Sequence, residues 1–138
     1  MNNLLEKPML LHLETKSNSL GDLTFFENQV LPFFEVKRVF WLTAVPDRGK
    51  RGLHAHIKEK QVLVCLQGTV TVRLEALSRE KLEYKLNTAN KGLYVPEMHW
   101  LEVEFSANSI LLVLCDQEFS EADYIRDKRA FEDDQRKY

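Results

Sequence analysis

The stretch Arg51-Gly-Leu-His54-Ala-His56-Ile-Lys-Glu-Lys-Gln61-Val-Leu-Val-Cys65-Leu-Gln-Gly68 decides how the rest of the chain is read. In an extended strand alternate side chains share a face, so His54 and His56 project together while Ala55 points away. Paired imidazoles are poor core filler. They suit a bound metal, or proton transfer at a carbon beside a carbonyl. The apolar run from Gln61 to Leu66 reads as a second strand and Thr69 to Leu74 as a third. Gln67-Gly68 is expected to join these two as a hairpin, with glycine supplying the backbone freedom of a tight turn.

Upstream, Leu23 to Glu27 and Phe33 to Thr43 read as strands on either side of a turn at Asn28 to Pro32. Downstream, Leu82 to Leu86, Gly92 to Val95, Trp100 to Phe105 and Ser109 to Cys115 follow at regular intervals. Asn90-Lys91-Gly92 and Ala107-Asn108 mark turns between them. Short strands at this spacing imply an all-β jelly-roll sandwich or small β-barrel. Ser120 with Asp123 three residues on resembles a capping box. The charged segment Ala122 to Arg136 is therefore expected to form a short C-terminal helical segment with a solvated tail. No repeat, linker or shift in composition divides residues 1–138, which implies one domain.

A chain of 138 residues with 44% hydrophobic content can bury a core without staples. Acidic and basic residues are interspersed to a formal charge of −2 with no cationic stripe, which argues against nucleic acid. Cys65 and Cys115 lie inside apolar runs and read as reduced, buried thiols of a cytoplasmic protein. The opening MNNLLEKPMLLHLET carries Glu6, Lys7 and Pro8 and no long apolar run, so neither a signal peptide nor a membrane span is expected.

The order of His54, His56, Gln61 and Gly68 is similar to the first cupin motif: HxH, four residues, an acidic ligand, six residues, a glycine. In metal-binding cupins that acidic position is a glutamate, and a further histidine arrives from a later strand. Here Gln61 holds the acidic slot and Leu101, five residues after Pro96, falls where the later histidine belongs. His99 is two residues early and would share Leu101's face within a strand. A catalytic zinc usually keeps three protein ligands, and borderline metals seldom choose neutral amides. No metal or other cofactor is expected, and proton transfer is favoured.

Several segments together carry a closer resemblance. GDLT (residues 21–24), KRVF (37–40), RGLHAHIKEKQVLVCLQGTVTV (51–72), NKGLYVP (90–96) and ADYIRDKRAF (122–131) look like the sugar 3,4-ketoisomerases. HxH alone is shared by all cupins, but its combination with glutamine in the acidic slot, NKGLYVP and DYIRD is specific. The resemblance runs from about Leu20 to Phe131. It implies a metal-free cupin, usually a homodimer, that moves the carbonyl of dTDP-4-keto-6-deoxyglucose from C4 to C3. The product would feed 3-amino-3,6-dideoxysugars of bacterial surface polysaccharides or S-layer glycans. One departure stands out: the family often has tyrosines after Lys-Arg-Val, where this chain reads Phe40-Trp41-Leu42-Thr43. A hydroxyl that assists proton transfer in relatives would be missing here, or supplied by Thr43. That leaves the gluco or galacto configuration of the product at C4 undecided by sequence.

Moving a ketone to its neighbour removes the C3 proton, passes through an enediol and returns a proton to C4. Histidine is an efficient base for this near neutrality. His54 or His56 is the expected base, with the other as its partner in shuttling protons. Arg51 is the candidate cation for the enediolate or a phosphate, although strict alternation from His54 turns it away unless the chain bends at Gly52. Its competing reading is a surface ion pair in the stretch Arg48 to Arg51. Gln61 reads either as an orienter of the histidines or as a plain hydrogen-bonded pocket residue. Trp100 is a pocket wall, a core residue or a stacking platform for the sugar or base. His99 is placed at the pocket rim, and Arg38 and Tyr94 are candidate lining residues. His12 is expected to be structural or exposed, Lys58-Glu59-Lys60 a solvated turn, and Phe25, Phe26, Phe33 and Phe34 core or dimer contacts. The rival readings are a nucleotide-sugar epimerase using a His–Asp dyad, a non-catalytic nucleotide-sugar binder, and a metal-dependent cupin. No aspartate is placed by sequence to pair with His54.

Overall fold

Two five-stranded antiparallel sheets face each other in the computed structural model, which describes residues 7–135. In chain order the strands are β1 (Met9–His12), β2 (Thr15–Asn18), β3 (Gly21–Thr24), β4 (Arg38–Leu42), β5 (Lys50–His56) and β6 (Gln61–Gln67). There follow β7 (Val70–Ala76), β8 (Lys81–Leu86), β9 (Lys91–Val95), β10 (His99–Phe105), β11 (Ile110–Cys115), β12 (Tyr124–Ile125) and the helix α1 (Lys128–Gln135). One sheet has the order β1-β9-β6-β11-β4 and the other β12-β5-β10-β7-β8. A separate hairpin pairs β2 with β3. This is the expected all-β cupin sandwich with its short C-terminal helix.

Period-two alternation builds the core. Leu63 and Cys65 of β6, Val70, Val72 and Leu74 of β7, Val103 and Phe105 of β10, and Leu111 and Val113 of β11 all turn inward between the sheets. A second apolar layer lies on the outer face of the first sheet. There Val62, Val64, Tyr94 and Leu114 are covered by Leu11, Leu13, Leu31 and Phe34 from the N-terminal segment. Phe131 anchors α1 with none of its surface exposed, its ring 5.9 Å from Trp100.

Several local expectations are corrected. β6 and β7 do not form a hairpin: β6 pairs with β9 and β11, whereas β7 pairs with β8 and β10. Gly68 is the corner where the chain changes sheets. Its φ is +79°, and a Cβ there would stand 2.3 Å from Ser109 Oγ, so both conformation and space demand glycine. Residues 33–37 are irregular and only Arg38–Leu42 is strand, with Phe33 at φ 64° and 94% exposed. The early strand lies at Gly21–Thr24 rather than Leu23–Glu27. Ser120 makes no side-chain cap, and the helix starts later, at Lys128. Asp123 is used elsewhere. Arg136, the expected end of that segment, lies outside the described residues.

Candidate active site

A cavity of about 340 Å³ opens at one end of the sandwich, between β4, β5, β6, β10, β11 and β12. Its floor is apolar, with Phe40, Leu42, Leu63 and Val113, and its polar side chains are His54, Gln61, Arg51, Lys50, Tyr124 and Arg126. Arg51 reaches it because β5 is bulged. Arg51 pairs with Val103 and His54 with Leu101, so three steps along β5 match two along β10. The extra residue is Leu53, at φ 59°, preceded by Gly52 at φ 91°. The bulge reverses the alternation between the two positions. Arg51 and His54 therefore share the cavity face, and the objection from strict alternation falls.

The two histidines stand edge to face with ring centroids 4.9 Å apart. Tyr124 packs on both, at 4.9 Å from His54 and 4.3 Å from His56, and the Arg126 guanidinium lies 4.2 Å from the Tyr124 ring. His54 Nδ1 donates to the Gly52 carbonyl at 3.0 Å, which leaves the lone pair on Nε2. Burial, then the neighbouring His56, pushes the His54 pKa down to about 4, so its ring is a neutral base at pH 7.

His56 is buried and held at both ends. Its Nδ1 donates to Asp123 Oδ2 at 3.1 Å, while Nε2 lies 3.4 Å from Gln61 Nε2 and 3.5 Å from Glu59 Oε2. Asp123 is itself fixed by the backbone N–H groups of Lys58 (2.8 Å) and Glu59 (3.1 Å). A carboxylate on the far nitrogen sets the tautomer and compensates an imidazolium when one forms. Gln61 donates to Glu59 Oε2 at 2.6 Å, and Arg38 donates to both Glu59 oxygens at 3.3 and 3.2 Å.

The sequence expectations divide accordingly. His54, Gln61 and Arg51 line the cavity, and His56 stands directly behind them. Arg38 is a partner of Glu59 and does not line the cavity. Tyr94 faces the outer apolar layer, with no exposed surface and its ring 6.3 Å from Phe34; its position on β9 opposite Val62 turns it away from the site. Trp100 points out of the opposite sheet toward α1, because β10 turns Leu101 and Val103 inward. It lines a separate groove with Lys128 and Arg73. His99 is the buried first residue of β10, its Nδ1 held by the Glu97 carbonyl at 3.0 Å, and it is absent from the cavity wall. Burial lowers its pKa. Glu59, Asp123 and Tyr124 are not among the site residues expected from sequence, which reads Asp123 as a helix cap and Glu59 as solvated. Glu59 is 3% exposed and no part of a solvated turn.

The donor set does not fit the cupin metal site. Both nitrogens of His56 and Nδ1 of His54 are engaged by protein groups. Among the described residues no group of three or more His, Cys, Asp or Glu side chains is arranged to hold a metal ion.

The family described as WxcM-like, C-terminal (FdtA) matches residues 6–136. The chain belongs to this family. It is 38% identical over 111 residues to the TDP-4-oxo-6-deoxy-alpha-D-glucose-3,4-oxoisomerase of Aneurinibacillus thermoaerophilus, covering 79% of this chain and 78% of that one. The crystal structure of QdtA, a sugar 3,4-ketoisomerase from Thermoanaerobacterium thermosaccharolyticum in complex with TDP, superposes with a TM-score of 0.88. The identity is 35%, over 94% of this chain and 95% of that one. A 3,4-ketoisomerase from Helicobacter canadensis gives a TM-score of 0.88 at 30% identity, over 94% and 97% of the two chains. In this member of the WxcM-like family Phe40 and Leu42 face the cavity, while Trp41 is exposed on the other side of β4. The phenol of Tyr124, from β12, stands on the same cavity wall.

Proposed function

We propose that this protein is a dTDP-4-keto-6-deoxyglucose 3,4-ketoisomerase, moving the keto group from C4 to C3 through an enediol. The observation that carries the reading is a cavity containing a neutral histidine, His54, packed on a second histidine that a carboxylate orients. The oxoisomerase and ketoisomerase relatives support the substrate class. One ring of the pair takes the C3 proton, exchanges with solvent, and delivers a proton to C4. The other ring carries the hydroxyl proton from O3 to O4, so the reaction is balanced without an oxidant. Arg51 faces the enediolate or the diphosphate; among the described residues no carboxylate neutralises it. A fixed cation aimed at developing charge lowers the barrier.

Residues 1–138 act as one catalytic domain. The two buried thiols Cys65 and Cys115 are consistent with a reducing cytoplasm, and no helix of the described residues is long and apolar enough to cross a membrane. A homodimer is supported by the outward apolar side chains Val39, Trp41 and Leu66 on one sheet. The product would supply 3-amino-3,6-dideoxysugar synthesis for surface glycans.

Substituting each histidine tests the reading. His54→Asn and His56→Asn are expected to fold, and at least one to lose activity on dTDP-4-keto-6-deoxyglucose by about 100-fold or more, the scale of an acid–base group. Full activity in both would remove the pair from the mechanism. The His56–Asp123 contact favours one second reading, a nucleotide-sugar epimerase, whose base is likewise backed by an aspartate. Exchange at C3 or C5 with the ketone still at C4 would establish it.

A further inference from the structure

The turn between β5 and β6 hides a carboxylate. Glu59 is buried although Lys58 beside it is exposed and Lys60 is half-buried. Burying a carboxylate is costly unless its oxygens are satisfied. Arg38 supplies the compensating charge at 3.2 Å. Gln61 supplies a neutral donor at 2.6 Å.

The Gln61 contact has a consequence for His56. A carboxylate only accepts, so Gln61 must turn its NH2 toward Glu59. The second N–H of that amide is then the group 3.4 Å from His56 Nε2. His56 Nε2 thus meets a donor, Gln61, when it holds a lone pair, and an acceptor, Glu59 at 3.5 Å, when it holds a proton. Its other nitrogen is committed to Asp123. The remaining groups against the ring are His54 of the same strand and Tyr124 of β12. Behind Glu59 and Gln61 stand Arg38 of β4 and Cys115 of β11. Burial, then the Glu59 charge, pushes the Cys115 thiol up to about 12, so it adds no charge near neutrality.

We propose that Glu59 is a positioning residue for proton transfer: it orients the Gln61 amide and seats the His56 ring in one orientation in both of its protonation states. The proposal rests on the isomerase reading above. It also accounts for an acidic residue placed between two lysines and yet buried.

Two variants of the full chain test it. Glu59→Gln keeps the volume and an oxygen for Arg38 but cannot accept a proton from His56 as a carboxylate does. It is expected to lower kcat on dTDP-4-keto-6-deoxyglucose about 100-fold, the scale of a misplaced catalytic group, with KM within about twofold and a lowered unfolding temperature, since Arg38 loses its counter-charge, but a folded enzyme at the assay temperature. Glu59→Ala frees the Gln61 amide to flip. In ¹⁵N NMR of the substrate-free protein, the two Gln61 side-chain amide protons should be held at one dispersed pair of shifts in wild type and move toward the shifts of a free glutamine amide in Glu59→Ala, because the 2.6 Å contact to Glu59 is lost. Wild-type kcat in Glu59→Gln, or a fall in kcat matched by a rise in KM, overturns the proposal. So do unchanged Gln61 amide shifts in Glu59→Ala. The amide measurement needs no turnover, so it tests Glu59 even if the isomerase reading itself fails; if Glu59→Ala does not fold, the Glu59→Gln kinetics decide.

Discussion

His54 is available as a free base at neutral pH because its surroundings keep a proton off it. Burial and the adjacent His56 ring lower its pKa from 6.5 to about 4. Above pH 6.5 the ring is neutral in both the folded and the unfolded chain. Between 6.5 and about 4 only the unfolded chain takes up the proton, so folding stability falls as pH drops through that window. The loss from this group is at most about 3 kcal/mol. Chemical denaturation across that range should show the slope in wild type and a flatter curve in His54→Asn; parallel curves would mean the ring is not depressed. At this scale the sequence was informative only locally. The His54–His56 face follows from alternation within one strand, and so was readable. Asp123 is 67 residues from His56, and only the closing of β12 onto β5 joins them. Glu59 was misread because its lysine neighbours suggest solvent, whereas its burial comes from Arg38 on a different strand.

Among the elements, β5 does most to shape the site. Its bulge at Gly52-Leu53 brings Arg51 and His54 onto one face. A Cβ at Gly52 would sit 3.0 Å from the Leu101 carbonyl oxygen, at a φ of +91° that L side chains rarely adopt. Gly52→Ala is therefore expected to destabilise the fold by about 1–2 kcal/mol. It should also cut kcat/KM by about tenfold or more as Arg51 loses its place. Denaturation and kinetics on the same preparation check both; wild-type kcat/KM would show that the bulge does not set Arg51. Strands β8 to β11 were readable because period-two alternation and turn residues bound each of them. The β6–β7 hairpin was not. A glycine turn looks alike whether the next strand pairs with the last or crosses to the facing sheet, and only long-range pairing decides which. Trp100 and Tyr94 were less readable: Trp100 lies on a strand of the site but on the face away from the cavity, and Tyr94 lies on β9, outside the cavity wall, in the outer apolar layer.

Taken whole, the molecule is a sandwich packed along most of its length, with a cavity left at one end where β5 and β12 meet β4. The sheet that carries β4 and β6 leaves Trp41 64% exposed, and Val39 and Leu66 on the same sheet are exposed as well. An exposed apolar surface of this kind becomes an interaction surface when its members form one contiguous patch. The homodimer reading predicts twice the chain mass by light scattering, and Trp41→Glu should weaken the dimer by at least about 2 kcal/mol. A monomer in both would refute it. All-β architecture was legible from strand spacing, whereas an association face was not, since the outward side of a strand reads the same in sequence whether solvent or another chain covers it.

The central claim is a change in where a carbonyl sits, and NMR observes that directly. The protein is incubated with dTDP-4-keto-6-deoxyglucose in heavy water, and the ketone and deuterium are followed at each ring carbon. A ketone at C3 with deuterium entering at C4 is the expected result, and the ring couplings then give the configuration at C4. A ketone that stays at C4, with or without exchange at its neighbours, would contradict the isomerase.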